Sequence, residues 1–255
     1  MRAFRHAGDL GDIVYSMPIM RHICGGEPGA LLIEAAHYTR QQLTRDKWCG
    51  LDTLLLQQPY VADVREYRKG EAISVNLNDF RAPLMSAGRR GALGAQPWKE
   101  KHLTHWMCDI HTVPQDVLLT QWLTVEPNKV AQVVFSRAGA GRPAHQVYQN
   151  SEFPWHRMWD AYHKDAVFIG SDEEHFAFSR ICGHVPHYKT ATLLDAARVI
   201  AGARVFVGNQ TCTHAIAEAL KVNIILEVWR AGPNCLVFRD GVRHGWNHEV
   251  EPFEL

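Results

Sequence analysis

Near the start of the chain, His6-Ala7-Gly8-Asp9-Leu10-Gly11-Asp12 sets two carboxylates beside two glycines, between one apolar stretch and another. Asp12 and Asp9 there stand as candidate catalytic carboxylates at the mouth of a loop. Gly8 and Gly11 let the turn tighten and offer bare backbone N–H groups to a ligand. The same residues fit a plainer arrangement, a tight turn in which Asp12 caps the following helix.

A second group sits far along the chain. Asn209, Gln210, Thr211 and Thr213 are polar residues at a junction where a strand gives way to a helix, followed at once by His214. Free N–H groups and the dipole at such a helix end favour phosphate oxygens. His214 serves either that end or the core as a capped histidine. Arg137, at the carboxyl end of another strand, can pair with a phosphate at two points and offset charge on a leaving group, or stand exposed in a loop. Between the groups, residues 78–101 are polar, glycine-bearing and basic, with Arg81, Arg89, Arg90, Lys99 and Trp98. They read as a solvated loop or as an acceptor-binding flap suited to a phosphate-bearing acceptor.

These residues need strands and helices to hold them. Residues 1–5 form a short first strand, and apolar residues three and four apart over 13–23 form a helix. Strands follow at 30–36, 64–67 and 73–77, with helices over 37–50 and 102–110. Residues 124–128 are a linker, after which the pattern restarts. A strand at 131–135 runs into a second glycine loop, and a helix follows through Tyr162. A strand at 166–170 ends where Ser171 or Asp172 caps the next helix. A helix at 193–201, a strand at 203–208, a helix at 214–220 and a last clear strand at 223–228 complete the pattern. The expectation is α/β, with two Rossmann-like parallel-sheet domains, residues 1–125 and 126–255, facing across a cleft.

Composition narrows the function classes. A hydrophobic content of 46% and a charged content of 21% are ordinary for a globular chain. The formal charge of zero gives no global field toward nucleic acid or anionic membrane. No secretory signal and no long apolar span is visible, so a cytoplasmic location is expected. Six cysteines without a C-x-x-C pair argue against a disulfide framework or zinc ribbon. The 15 histidines include no H-E-x-x-H, and no Asp-x-Asp pair is present to hold Mg²⁺ on a diphosphate. No metal and no cofactor is expected.

Residues 6–18, His-Ala-Gly-Asp-Leu-Gly-Asp-Ile-Val-Tyr-Ser-Met-Pro, resemble the opening loop of the heptosyltransferase-like glycosyltransferases, family 9 of the GT-B superfamily. Residues 206–220, from Phe206 through Asn209-Gln210-Thr211-Cys212-Thr213-His214 to Leu220, are similar to that family's donor motif. Here Asn209 replaces the family's aspartate, Gln210 its Ser or Thr, and Thr211 its glycine. The resemblance implies a GT-B fold and an inverting, metal-independent transfer of a sugar from a nucleotide sugar to an acceptor hydroxyl. It implies Asp12 as the general base, with Asp9 second. It also implies a donor site made of Arg137, Asn209, Gln210, Thr211, Thr213, His214 and Glu218, with Glu227 a further candidate for ribose hydroxyls. The acceptor would be a saccharide or a hydroxylated base in DNA. The competing classes are a non-catalytic nucleotide-binding module and a histidine-based metal hydrolase.

Overall fold

The computed structural model describes residues 1–34, 45–81, 102–139 and 148–255. The chain divides into two compact units, Met1–Thr124 and Val125–Leu255.

In the first unit the elements run β1 (Ala3–His6), α1 (Leu10–Cys24), β2 (Gly29–Ile33), α2 (Arg45–Leu55), β3 (Val61–Glu66), β4 (Val75–Asn76) and α3 (Leu103–His111), then a 3-10 turn at Gln115–Leu118. The strands form a parallel sheet in the order β3-β2-β1-β4. β2 is buried along its whole length, which explains its unbroken apolar run GALLI. The helix expected over 37–50 is described only from Arg45 and continues through Leu55.

Helix α1 starts at Leu10, three residues before the expected start, and ends at Gly25 in the left-handed conformation (φ 61°) that glycine adopts without strain. It also carries Pro18 in its interior. Proline has no N–H, so the carbonyl of Val14, four residues back, loses its helical partner. The indole Nε1 of Trp122 donates to that carbonyl at 3.1 Å. A residue over a hundred positions away thereby keeps the helix intact.

The second unit runs β5 (Val133–Ser136), α4 (Trp155–Tyr162), a 3-10 turn (His163–Asp165), β6 (Ala166–Phe168), α5 (Asp172–Cys182), α6 (Leu193–Gly202), β7 (Val205–Asn209), α7 (Cys212–Ala219), β8 (Asn223–Glu227) and β9 (Val242–Gly245). Its sheet is also parallel, in the order β6-β5-β7-β8-β9. Ser171 and Thr192 open α5 and α6 with reciprocal capping boxes to Glu174 and Asp195. β9 was not expected. Val-Arg-His-Gly has no alternation, and its pairing with β8 alone makes it a strand.

Aromatic side chains fill the core beneath α4 and α5. Phe135, Phe153, Trp155, Phe168 and Phe178 are buried together with Val250 of the tail. The tail beyond β9 runs along α4: the Tyr162 hydroxyl donates to the Phe253 carbonyl at 3.0 Å, and Arg157 pairs with Glu251. Arg243 donates to the carbonyls of Glu251 and Pro252 while lying over the Phe253 ring.

Candidate functional site

In an open parallel sheet, ligands bind beyond the carboxyl ends of the strands at the point where the strand order reverses. In the first unit the chain moves from β1 outward to β2 and β3, then returns to place β4 on the other side of β1. The reversal therefore lies between β1 and β4. The loop after β1 carries Gly8 and Asp9 and leads into α1, whose first turn carries Asp12, and the segment after β4 carries Arg81. The structure brings these loops together, and Arg81 Nη2 is ion-paired with Asp12 Oδ2.

Asp12 does not cap α1. Asp9 holds the N-cap position with extended backbone (φ −66°, ψ 160°), and its carbonyl accepts from the Ile13 N–H at 3.1 Å. Asp12 sits in the first turn, where a carboxylate interacts favourably with the helix dipole. Its side chain is 18% exposed and that of Arg81 25%, so both border solvent. Arg81 lies over the Phe80 ring at 5.1 Å, and its backbone N–H donates to the Asn78 carbonyl at 2.9 Å. Gly11 lies inside α1 rather than in the turn.

Gly8 has a specific steric reason. A Cβ built there would fall 2.5 Å from Arg81 Nη2, 2.5 Å from His6 Cε1 and 3.1 Å from Asp12 Cβ. The bare backbone is what allows the guanidinium to reach the carboxylate. Below it, fully buried His6 accepts the Gly8 N–H on Nδ1 at 2.9 Å. Burial, reinforced by the Arg81 charge and opposed weakly by the Asp12 backbone, lowers the His6 pKa to about 3. The imidazole is neutral and acts as an acceptor. The sequence assigns His6 no role. A polar residue ending a buried strand was the signal available.

In the second unit the reversal lies between β5 and β7. Asn209, at the end of β7, is fully buried and reaches across the gap. Its Oδ1 accepts the Ala138 N–H at 3.0 Å, and its Nδ2 donates to the carbonyls of Ala138 and Tyr148 at 2.9 and 3.0 Å. Every polar atom of that side chain holds the loop after β5, so it shapes the site from beneath. Thr213 Oγ1 donates to Ser136 Oγ at 3.1 Å and lies 2.9 Å from Thr211 Oγ1. Both threonines are half-buried at the start of α7, so their hydroxyls and the helix N–H groups form the ligand-accessible part of this end. Ser136 belongs to the cluster and was missed by the sequence reading.

Other expected donor residues are committed elsewhere. Gln210 accepts the Trp229 N–H at 2.7 Å and donates to the Gly232 carbonyl at 3.0 Å, tying down the loop after β8. His214 is fully buried, and burial, then the charges of His244 and Arg239, lower its pKa to about 3. It lies in the core behind the helix end. Glu218, near the far end of α7, is buried and ion-paired with both Lys221 and Arg239. Arg137 is bound at two points to fully buried Glu227 and lies over the Trp155 ring at 5.3 Å. A cavity of about 550 Å³ opens beside Arg137, lined also by Asn150, Ser151, Trp155, His156 and Arg157. Among the described residues, no carboxylate lines it.

Arg89, Arg90 and Lys99, expected to bind the acceptor, lie outside the described residues. Among the described residues no group of three or more His, Cys, Asp or Glu is placed to hold a metal, and no helix is long and apolar enough to cross a membrane.

The sequence matches no protein-family profile and no curated protein. Solved structures do match. A glycosyl transferase of family 9 from Veillonella parvula has a TM-score of 0.55 at 10% identity, over 99% of this chain and 88% of that one. The E. coli ADP-heptose lps heptosyltransferase II has a TM-score of 0.57 at 14% identity, over 96% and 90%. The E. coli heptosyltransferase WaaC with ADP-2-deoxy-2-fluoro heptose has 0.53 at 13%, over 89% and 88%. The fold is α/β of the GT-B type seen in family 9 glycosyltransferases, and the resemblance read from the two motifs extends to the architecture of both units.

Proposed function

We propose that this chain is an inverting, metal-independent glycosyltransferase acting on a nucleotide sugar, with Asp12 as the general base. The observation that carries the proposal is the position of Asp12: a solvent-bordering carboxylate on the first turn of α1, at the strand-order reversal of a fold shared with heptosyltransferases. Asp9, one turn position earlier at the N-cap, ranks second.

In this reading Asp12 takes the proton of an acceptor hydroxyl. The oxygen attacks the anomeric carbon from the face opposite the diphosphate, the bond from that carbon to the diphosphate oxygen breaks, and the sugar is transferred with inversion. Thr211, Thr213 and the N–H groups of α7 hold the diphosphate, while Arg137, paired with Glu227, braces the strand ends beside them. Asn209, Gln210 and His214 shape the site from behind. The acceptor is a saccharide hydroxyl, in keeping with the heptosyltransferase neighbours. A hydroxylated DNA base would instead reveal itself by affinity falling steeply with salt.

The test is a thermal-shift screen of nucleoside diphosphates and nucleotide sugars, ADP and ADP-heptose included, followed by turnover of Asp12→Asn. A ligand that binds only the folded state raises the melting temperature by mass action. The proposal expects a nucleotide hit and an Asp12→Asn protein that keeps donor affinity and loses turnover. Unchanged turnover in Asp12→Asn removes the aspartate from the chemistry. Nucleotide binding without turnover in the wild type favours a binding module.

A further inference from the structure

Asp12 is the proposed base, yet one of its oxygens is occupied. Arg81 Nη2 pairs with Oδ2. Arg81 is itself braced, with Phe80 under its guanidinium, Asn78 Oδ1 at 3.5 Å from Nε, and a backbone bond from its N–H to the Asn78 carbonyl. The Asn78 turn is held in its own right, since Asn76 Nδ2 donates to Asp79 Oδ1 at 2.6 Å and the Asp79 N–H donates to the Asn76 carbonyl at 3.1 Å. The chain from β4 to Arg81 is thus pinned at several points. It delivers one guanidinium to one carboxylate oxygen, through a gap that a Cβ at position 8 would crowd.

We propose that Arg81 is a positioning residue for Asp12 rather than an acceptor ligand, and that Gly8 serves the proposed chemistry by keeping the path between them open. By holding Oδ2, Arg81 fixes the carboxylate rotamer and leaves Oδ1 as the oxygen that meets the acceptor hydroxyl. A carboxylate free to rotate would present either oxygen in many orientations, and small misplacements of a catalytic group cost rate steeply. Lysine cannot fully replace arginine there, because its ammonium is a point charge without the planar fork. His6 completes the arrangement from below: its buried, neutral Nδ1 fixes the Gly8 N–H and with it the path of the loop.

The inference rests on the reading of Asp12 as base, and the test separates the two. ADP released from ADP-D-β-D-heptose is measured with water as the only acceptor, for the wild type, Asp12→Asn, Arg81→Gln, Arg81→Lys and Gly8→Ala. A residue that merely bound the acceptor would leave this hydrolysis untouched, since no acceptor is present. A positioning residue changes it. We expect Arg81→Gln and Gly8→Ala each to lower kcat by about tenfold or more with the donor KM unchanged, Arg81→Lys to recover part of the loss, and the Gly8→Ala/Arg81→Gln double variant to be no worse than the poorer single. Melting temperatures are read alongside, and if Gly8→Ala fails to fold, Arg81→Gln and Arg81→Lys decide alone. Loss of turnover in Asp12→Asn with kcat retained in Arg81→Gln overturns the inference and leaves the base standing. Turnover retained in Asp12→Asn overturns both.

Discussion

Arg137 and Glu227, on strand ends separated by β7, are joined at two points, with Nε and Nη2 of the arginine 3.0 and 2.9 Å from the two carboxylate oxygens. Glu227 is fully buried and also accepts the Asn150 N–H at 2.7 Å. Removing one partner of a buried pair leaves the other uncompensated, at a cost of about 3–5 kcal/mol. Glu227→Gln should lose stability on that scale in chemical denaturation. The double change Arg137→Met/Glu227→Leu should regain most of it while weakening nucleotide-diphosphate binding. A single variant as stable as the wild type would show that the pair carries little of the fold.

Trp122 supports helix α1 by one hydrogen bond to a carbonyl that Pro18 orphans. Trp122→Phe keeps a ring in place and removes the donor. Leaving a buried carbonyl unmet costs about 1–3 kcal/mol. Urea denaturation should show that loss, and combining it with Pro18→Ala should abolish most of it, because the helix then supplies the missing N–H itself.

His6 and His214 make the stability depend on pH with a definite sign. Both are neutral in the folded chain, with pKa values lowered to about 3, whereas an unfolded histidine titrates near its ordinary 6.5. Between these values the unfolded chain binds protons that the folded chain refuses. Stability is therefore fully present above about pH 6.5 and falls as the pH drops toward 3. Each such group contributes up to about 1.4 kcal/mol per pH unit within the window. Replacing one of them, as His6→Asn or His214→Gln, should flatten the slope of unfolding free energy against pH by up to that amount. An unchanged slope would show that the replaced imidazole titrates alike in the folded and unfolded chain.

Thr213 offers a cleaner probe of the α7 end than its neighbours, because its hydroxyl is half-buried and bonded only within the Thr211–Ser136 cluster in the described contacts. A hydrogen bond to a charged group is worth about 1.5–3 kcal/mol. Thr213→Val should weaken ADP binding by roughly tenfold or more, read by calorimetry, with little change in the melting temperature of the free protein. Equal affinity would move the diphosphate away from this helix end.

The periodic elements were legible because their side chains carry the pattern. The capped start of α5 was placed at Ser171 or Asp172, of which Ser171 is the cap, and α6 and β8 began at the expected residues. What escaped was structure imposed from outside the segment. β9 has no apolar alternation and owes its conformation to β8. The early start of α1 was hidden by Gly11, a residue read as part of the turn that instead sits within the helix.

The candidate site was legible as positions and much less as roles. Asp12, Arg81, Arg137 and Glu227 were all singled out, but nothing local to any of them says that they pair as they do. Arg137 meets Glu227 only because the sheet order sets β5, β7 and β8 side by side, and Asp12 meets Arg81 only because β4 returns to the flank of β1. Gln210 shows the reverse. Its place at a helix start suggested a ligand contact, while its partners come from the loop beyond β8.

The tail that follows β9 has a practical consequence. The carbonyls of Glu251, Pro252 and Phe253 each take a side-chain donor, and Val250 belongs to the aromatic core. Truncation before Phe253 would strip a partner from Tyr162, and loss of Val250 as well would open the floor under α4.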